Sequence, residues 1–81
     1  MKQGRTNEAI EFYVKLGKRV RALRERRGLL QEELALLANV RKWTMHRLET
    51  GKQGADLWQA TQIANALGVG VDELIGGDDG Q

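Results

Sequence analysis

The side chains best suited to bind another molecule lie between residues 41 and 53. If Met45 and Leu48 point into the protein interior, the opposite face of the same helix presents Lys42, Trp43, His46, Arg47 and Thr50. Long cationic side chains near the start of a helix can reach the edges of nucleic-acid bases, and their donors match O6 and N7 of guanine. The alternative is that Lys42 and Arg47 belong to an ordinary solvated face. The sequence around them favours contact with DNA.

Two of these side chains have more than one interpretation. Trp43 could press on a thymine methyl group, stack against Arg47 one turn later or insert against the DNA backbone. Equally, it could cover part of a protein interface. His46 is the only histidine, and one histidine without cysteine or nearby acids cannot form a zinc site. We therefore expect His46 to make a polar contact on the same face, and we expect neither a bound metal nor a cofactor.

Glycines divide the chain into helical segments that would carry this face, and no segment shows the pattern of a strand. Gly28, Gly51 and Gly68 each follow a helical pattern directly, and Asp56 is a suitable N-cap for the fourth helix. We therefore predict an all-α domain of four to five helices with an extended N-terminal helix. The predicted helices span 7–27, 31–38, 42–50 and 57–67, followed by a last helical turn over 71–75.

The stretch QEELALLANVRKWTMHRLET, residues 31–50, fits two short helices that meet at a steep angle across a tight turn. Ala35 provides the small side chain that such a crossing needs, and Asn39 tolerates the left-handed conformation of the turn. Each residue type is common, but their combination at these offsets is specific. It predicts a helix-turn-helix in which the inward side chains are Leu34, Leu37, Ala38, Val40, Met45 and Leu48.

On these residues the chain resembles the lambda-repressor-like, Cro and XRE-type helix-turn-helix family, over about residues 16–75. The matching segments are LGKRVRALRERRGLLQEELA, NVRKWTMHRLETGK and IANALGVGVDEL. The resemblance implies a compact five-helix domain whose third helix enters the DNA major groove. It also implies a transcriptional regulator, a repressor or controller protein, that binds a palindromic operator as a homodimer.

The resemblance also implies roles for individual side chains. Lys42, Trp43 and Arg47 occupy base-reading positions, and His46 lies on the same face. Gln31 occupies a position that normally touches a phosphate, while Lys52 and Gln53 precede the fourth helix, where backbone amides can hold phosphates. The full set of expected phosphate contacts is Gln31, Arg41, Thr50, Lys52 and Gln53.

In the same resemblance, Arg24 and Glu49 form an ion pair between the first helix and the end of the third. Arg24 follows Leu23 on the packed side of its helix, and Glu49 follows the inward Leu48. A half-buried guanidinium at such a place needs a carboxylate. The alternative is two independent surface charges, and we favour the pair as a structural element.

Two positions depart from the family at the starts of helices. Leu30 stands where the family usually has Ser or Thr, and Arg41 stands where Ser is frequent. Glu33 therefore remains as half of a capping box whose other half is missing. Arg41 could offset the loss of a serine cap at its position by contacting a phosphate directly.

The segment before the resemblance carries four large apolar residues, Ile10, Phe12, Tyr13 and Val14. They could pack back on the domain or join a partner subunit, and we favour self-association slightly. This segment or the acidic tail could also contact a partner protein. The alternative function is therefore an antitoxin or a protein–protein adaptor built on the same domain.

Composition limits the remaining possibilities. Eighty-one residues without cysteine form one small domain without disulfides, which suits a reducing cytoplasm. The resemblance implies in addition a DNA-associated protein that a bacterium or a phage encodes. Residues 1–30 carry nine lysines or arginines against three glutamates, so the net charge of +2 hides a segment of +6. No apolar run is long enough to span a membrane, and no arrangement of nucleophile, base or phosphate loop indicates an enzyme. The domain is expected over 6–75, between a flexible N-terminus (1–5) and a flexible acidic tail (76–81).

Overall fold

Five helices make up the fold in the computed structural model, which describes residues 6–76. The helices are α1 (Asn7–Arg26), α2 (Gln31–Ala38), α3 (Lys42–Glu49), α4 (Leu57–Leu67) and α5 (Val71–Leu74). The predicted all-α class is confirmed, with no strand among the described residues. The segment 1–5 and all of the predicted tail except Gly76 lie outside them. No helix within residues 6–76 has the length and apolar character needed to cross a membrane.

Local signals in the sequence set the helix ends. Asp56 accepts a hydrogen bond from the Gln59 N–H at 2.7 Å through Oδ1, and Gln59 Oε1 accepts one from the Asp56 N–H at 3.2 Å. Asn39 ends α2 with φ of 59°, in the left-handed region. At the start of α2 only half of a capping box exists. The Leu30 N–H donates to Glu33 Oε1 at 2.8 Å, but the leucine side chain has no acceptor for the Glu33 N–H.

The core lies between α1, α2, α3 and α4, with α5 closing one end. Its largest fully buried side chains are Val20, Leu34, Met45, Leu48, Ile63, Leu67 and Leu74. The expectation that Leu37 faces inward is wrong, since this side chain is 60% exposed. The buried arc of α2 contains Leu34, Ala35 and Ala38, and Leu37 lies about 60° beyond the edge of this arc at Leu34.

Close contacts join α1 to α3 and to the loop after it. A Cβ atom on Gly17 would collide with the carbonyl oxygens of Leu48 and Glu49, so the absence of a side chain lets α1 approach the end of α3. Farther towards the N-terminus, Val14 packs on Gly51 and the Tyr13 ring packs on Gly54. Part of the apolar N-terminal segment therefore packs back on the domain.

Candidate nucleic-acid interface

The two sides of α3 differ sharply in exposure. Met45 and Leu48 are fully buried, and Glu49 is 8% exposed. On the other side the structure places Lys42, Trp43, His46 and Thr50 in solvent and leaves Arg47 half-buried. The side chains that the sequence assigned to one face are thus brought together on one face. Trp43 is 66% exposed, which leaves a large apolar surface open to solvent.

The structure also brings Arg24 and Glu49 together. Arg24 Nε lies 2.7 Å from Glu49 Oε2, and Arg24 Nη2 lies 3.0 Å from Oε1, which makes the pair bidentate. Arg24 Nη1 also donates to the Leu29 carbonyl at 2.8 Å. The pKa of the Arg24 guanidinium is raised, chiefly because its side chain donates to Glu49; burial opposes the shift and the charges of Glu49 and Glu25 add to it. The pair fixes the end of α3 against α1.

Gln31 joins this pair from α2. Its Nε2 donates to Glu49 Oε1 at 3.0 Å, so the start of α2 is tied to the end of α3 through one carboxylate. The bond uses one amide hydrogen, and a glutamine amide has a second hydrogen that it can donate. The contact between Gln31 and Glu49 could not be predicted from the sequence, because 18 positions separate the two residues.

Arg47 is held by contacts of three kinds. Its Nε donates to Gln53 Oε1 at 2.9 Å, and its Nη2 donates to the Lys52 carbonyl at 3.3 Å. Its Cζ lies 5.8 Å from the centre of the Trp43 ring. The His46 ring lies 6.2 Å from Trp43 at an interplanar angle of 29°. The structure therefore contains the predicted contact between Trp43 and Arg47, with the guanidinium over the ring.

The remaining predicted contacts lie around this cluster. Lys42 Nζ is 3.2 Å from Glu32 Oε1, and both side chains are more than half exposed, so the pair stabilises little and is easily exchanged for a phosphate or base. The Thr50 hydroxyl donates to the His46 carbonyl at 2.9 Å, which it would have to leave to donate to a phosphate. Arg41 and Lys52 are exposed at the start of α3 and in the loop after it.

A second exposed tryptophan lies close to the start of α3. Trp58, 69% exposed, borders a shallow pocket together with Arg41 and Thr44. The sequence did not predict that Trp58 is exposed, because this tryptophan directly follows Leu57 at the start of an apolar helix. The apolar spacing of α4 would place Leu57 with the buried Ala60 and Ala64, but Leu57 is 77% exposed because it is the first residue of the helix. Within residues 6–76 no group of three or more potential ligands could hold a metal ion.

Comparison with known proteins identifies similar chains. A family model described as a helix-turn-helix domain matches residues 15–74. An uncharacterized HTH-type transcriptional regulator from Archaeoglobus fulgidus is 38% identical over 61 residues, covering 75% of this chain and 87% of the relative. The restriction-modification controller protein C.AhdI from Aeromonas hydrophila has a TM-score of 0.75 and 35% identity, with 76% of this chain and 94% of that chain covered. The clp gene regulator ClgR from C. glutamicum has a TM-score of 0.75 and 25% identity, with coverages of 79% and 82%.

Proposed function

The chain belongs to the lambda-repressor-like helix-turn-helix family of DNA-binding transcriptional regulators, and from this premise we propose that it binds a palindromic operator as a homodimer. One observation carries the proposal: the outward face of α3 combines two cations, a histidine and an exposed tryptophan around a fully buried inner side. Placed in the major groove, such a face offers donors to guanine and an apolar surface to thymine methyl groups.

In this proposal, Lys42, Trp43, His46 and Arg47 contact base edges. The phosphates on either side are held by the start of α2, the start of α3 and the loop after α3. Phosphate contacts set the register of the protein on the duplex, while the base contacts carry the sequence preference. The residues assigned to phosphates are Gln31, Arg41, Thr50, Lys52 and Gln53.

We propose a homodimer because each chain has one α3 and can therefore read one half-site. A palindrome presents two equivalent half-sites, and two copies of α3 related by a two-fold axis would read them with centres about 34 Å, or ten base pairs, apart. The similarity to a restriction-modification controller protein supports a regulator of this small kind. Occupation of a promoter by such a dimer would repress transcription, whereas contact with the polymerase would activate it.

A second candidate function is an antitoxin or adaptor that uses the same domain to hold a partner protein. The observation in its favour is that Ile10 and Phe12 are 42% and 45% exposed, although Tyr13 and Val14 pack on the domain. An exposed apolar pair near the chain start provides a surface for another protein.

Selection of bound duplexes from a random library tests the first proposal. We expect a palindromic consensus, and we expect Lys42→Ala and Arg47→Ala to relax the preference at separate positions. Arg21→Ala is the matched control, because it removes one exposed cation from α1, where the side chain pairs with Glu25 across one turn. Loss of preference in the control, or no consensus with the natural sequence, would contradict the proposal.

Salt dependence separates a DNA-binding protein from an adaptor that binds only protein. Binding to random duplex DNA should weaken steeply with salt, with a slope of about one for each phosphate neutralised, and Lys52→Ala should lower that slope by about one. An adaptor that does not bind DNA would show no such slope.

A further inference from the structure

The environment of Arg47 assigns Gln53 a role beyond phosphate contact: we propose that Gln53 is a positioning residue that fixes Arg47 for recognition of guanine. The inference rests on the proposed DNA-binding function and concerns how one of its base-reading side chains is oriented. It starts from the hydrogen bond between Arg47 Nε and Gln53 Oε1 at 2.9 Å.

A guanidinium has two edges that can make a pair of parallel hydrogen bonds. One edge consists of Nε and Nη2, and the other consists of Nη1 and Nη2. In this protein the first edge faces two acceptors, Gln53 Oε1 at 2.9 Å and the Lys52 carbonyl at 3.3 Å. The second edge is therefore the one that Arg47 presents to O6 and N7 of a guanine.

An aromatic ring supports the guanidinium as well. Trp43 lies on one side with its ring centre 5.8 Å from Cζ, and the His46 ring lies alongside Trp43. An arginine on a helix surface ordinarily samples many rotamers, and ordering it at an interface costs affinity. Here an acceptor pair and an aromatic face hold the side chain before DNA arrives.

This role makes a prediction that a phosphate contact does not. A glutamine that only donates to a phosphate affects all sequences equally. A glutamine that positions Arg47 affects the preference for guanine at the base pair that Arg47 contacts. Because the bond uses the acceptor of the amide, glutamate can replace glutamine in the positioning role, whereas it would repel a phosphate.

The test measures discrimination at one base pair. Arg47→Ala first identifies the guanine that Arg47 contacts, because replacing that guanine no longer lowers the affinity of this variant for the duplex. The affinities of the natural protein, Gln53→Met and Gln53→Glu are then measured on duplexes with and without that guanine. We expect the preference for guanine to fall about 2- to 12-fold in Gln53→Met, the equivalent of ordering one long side chain. In Gln53→Glu the preference should be retained, whatever happens to overall affinity.

A spectroscopic measurement on the protein without DNA accompanies the binding data. The nitrogen–proton signal of Arg47 Nε should have the shift and slow exchange of a bonded group in the natural protein and in Gln53→Glu. In Gln53→Met it should move to the position of a solvated arginine, while the backbone amide spectrum remains that of the folded domain.

The inference is overturned if Gln53→Met keeps the full preference for guanine, if it weakens both duplexes equally, or if Arg47→Ala relaxes no position. Each of these results leaves the proposed function standing as long as the natural protein selects a consensus. Failure to select any consensus would instead remove the proposed function itself.

Discussion

The carboxylate of Glu49 connects three helices through a single side chain. Glu49 belongs to α3, receives two hydrogen bonds from Arg24 of α1 and one from Gln31 of α2, and its side chain is only 2% exposed. A carboxylate buried to this degree is strongly destabilising unless its charge is compensated, and here three donors compensate it. The pairing of Glu49 with Arg24 was predicted from a family resemblance, but the hydrogen bond from Gln31 was not predicted.

Arg24→Met should lower the free energy of unfolding by about 3–5 kcal/mol, because it leaves the Glu49 carboxylate buried without its cation. The raised pKa of Arg24 means that the folded state favours the charged guanidinium. That contribution is fully present below the pKa of arginine in the unfolded chain and is lost only as pH rises through the still higher folded value. The loss should therefore be the same throughout the neutral range, measured by urea unfolding followed by circular dichroism.

Two further variants show whether the loss comes from the pair. Arg24→Met combined with Glu49→Leu should recover most of the stability, since it removes both charges together. Arg21→Ala breaks an exposed pair with Glu25 at 3.1 Å and should cost less than about 1 kcal/mol. Equal decreases in the free energy of unfolding for Arg24→Met and Arg21→Ala would show that the buried pair stabilises the fold no more than the exposed pair does.

At the scale of the elements, the short-range signals predicted most of what the structure contains. The bounds of α2 and α4 follow from Asn39, Asp56 and Gly68, whose effects reach only a few residues along the chain. Side chains whose environment depends on another element were predicted less well. Leu37 follows the apolar pattern of α2 but remains exposed, because packing against other helices decides which arc is buried. The bond between Gln53 and Arg47 depends in the same way on the path of the loop after α3.

Leu30→Thr should stabilise the domain by about 1 kcal/mol, because a threonine at the N-cap of α2 can accept a hydrogen bond from the Glu33 N–H. Glu33 already supplies the reciprocal bond to the backbone of residue 30 at 2.8 Å, so the change completes a capping box. The leucine is 60% exposed, so little buried apolar surface is lost.

Thermal unfolding measures the effect of this change. Leu30→Ala separates capping from the loss of the leucine, because alanine removes the side chain without adding an acceptor. A thermal midpoint no higher for threonine than for alanine would contradict the capping argument.

At the scale of the whole molecule, the net charge of +2 conceals an uneven distribution of charge along the chain. Residues 1–30 carry +6, and residues 41–52 carry four cations against Glu49 alone, so the acidic groups are concentrated elsewhere. Glu49 is buried and paired with Arg24, so the surface of α3 is more basic than its sequence count indicates. A nearly neutral small protein can thus present a cationic face to DNA.

A change in the spacing of the half-sites should disrupt binding by the proposed homodimer. Inserting about five base pairs at the centre of the selected palindrome turns one half-site to the opposite side of the duplex, where two copies joined by a fixed interface cannot reach both. We expect a large loss of affinity with five added base pairs and partial recovery with about ten. Gel retardation with the intact palindrome as reference measures both, and equal affinity for all three duplexes would indicate that single copies bind independently.

The separation of the two sides of α3 has a consequence for how this domain can evolve. The side chains proposed to contact bases are largely in solvent, whereas Met45, Leu48 and Glu49 are buried and pack the helix against the rest of the protein. Substitutions at positions 42, 43 and 46 thus remove few contacts on which folding depends. A lineage of such proteins could acquire new target sites through single replacements at these three positions, each of which would leave a folded and selectable protein.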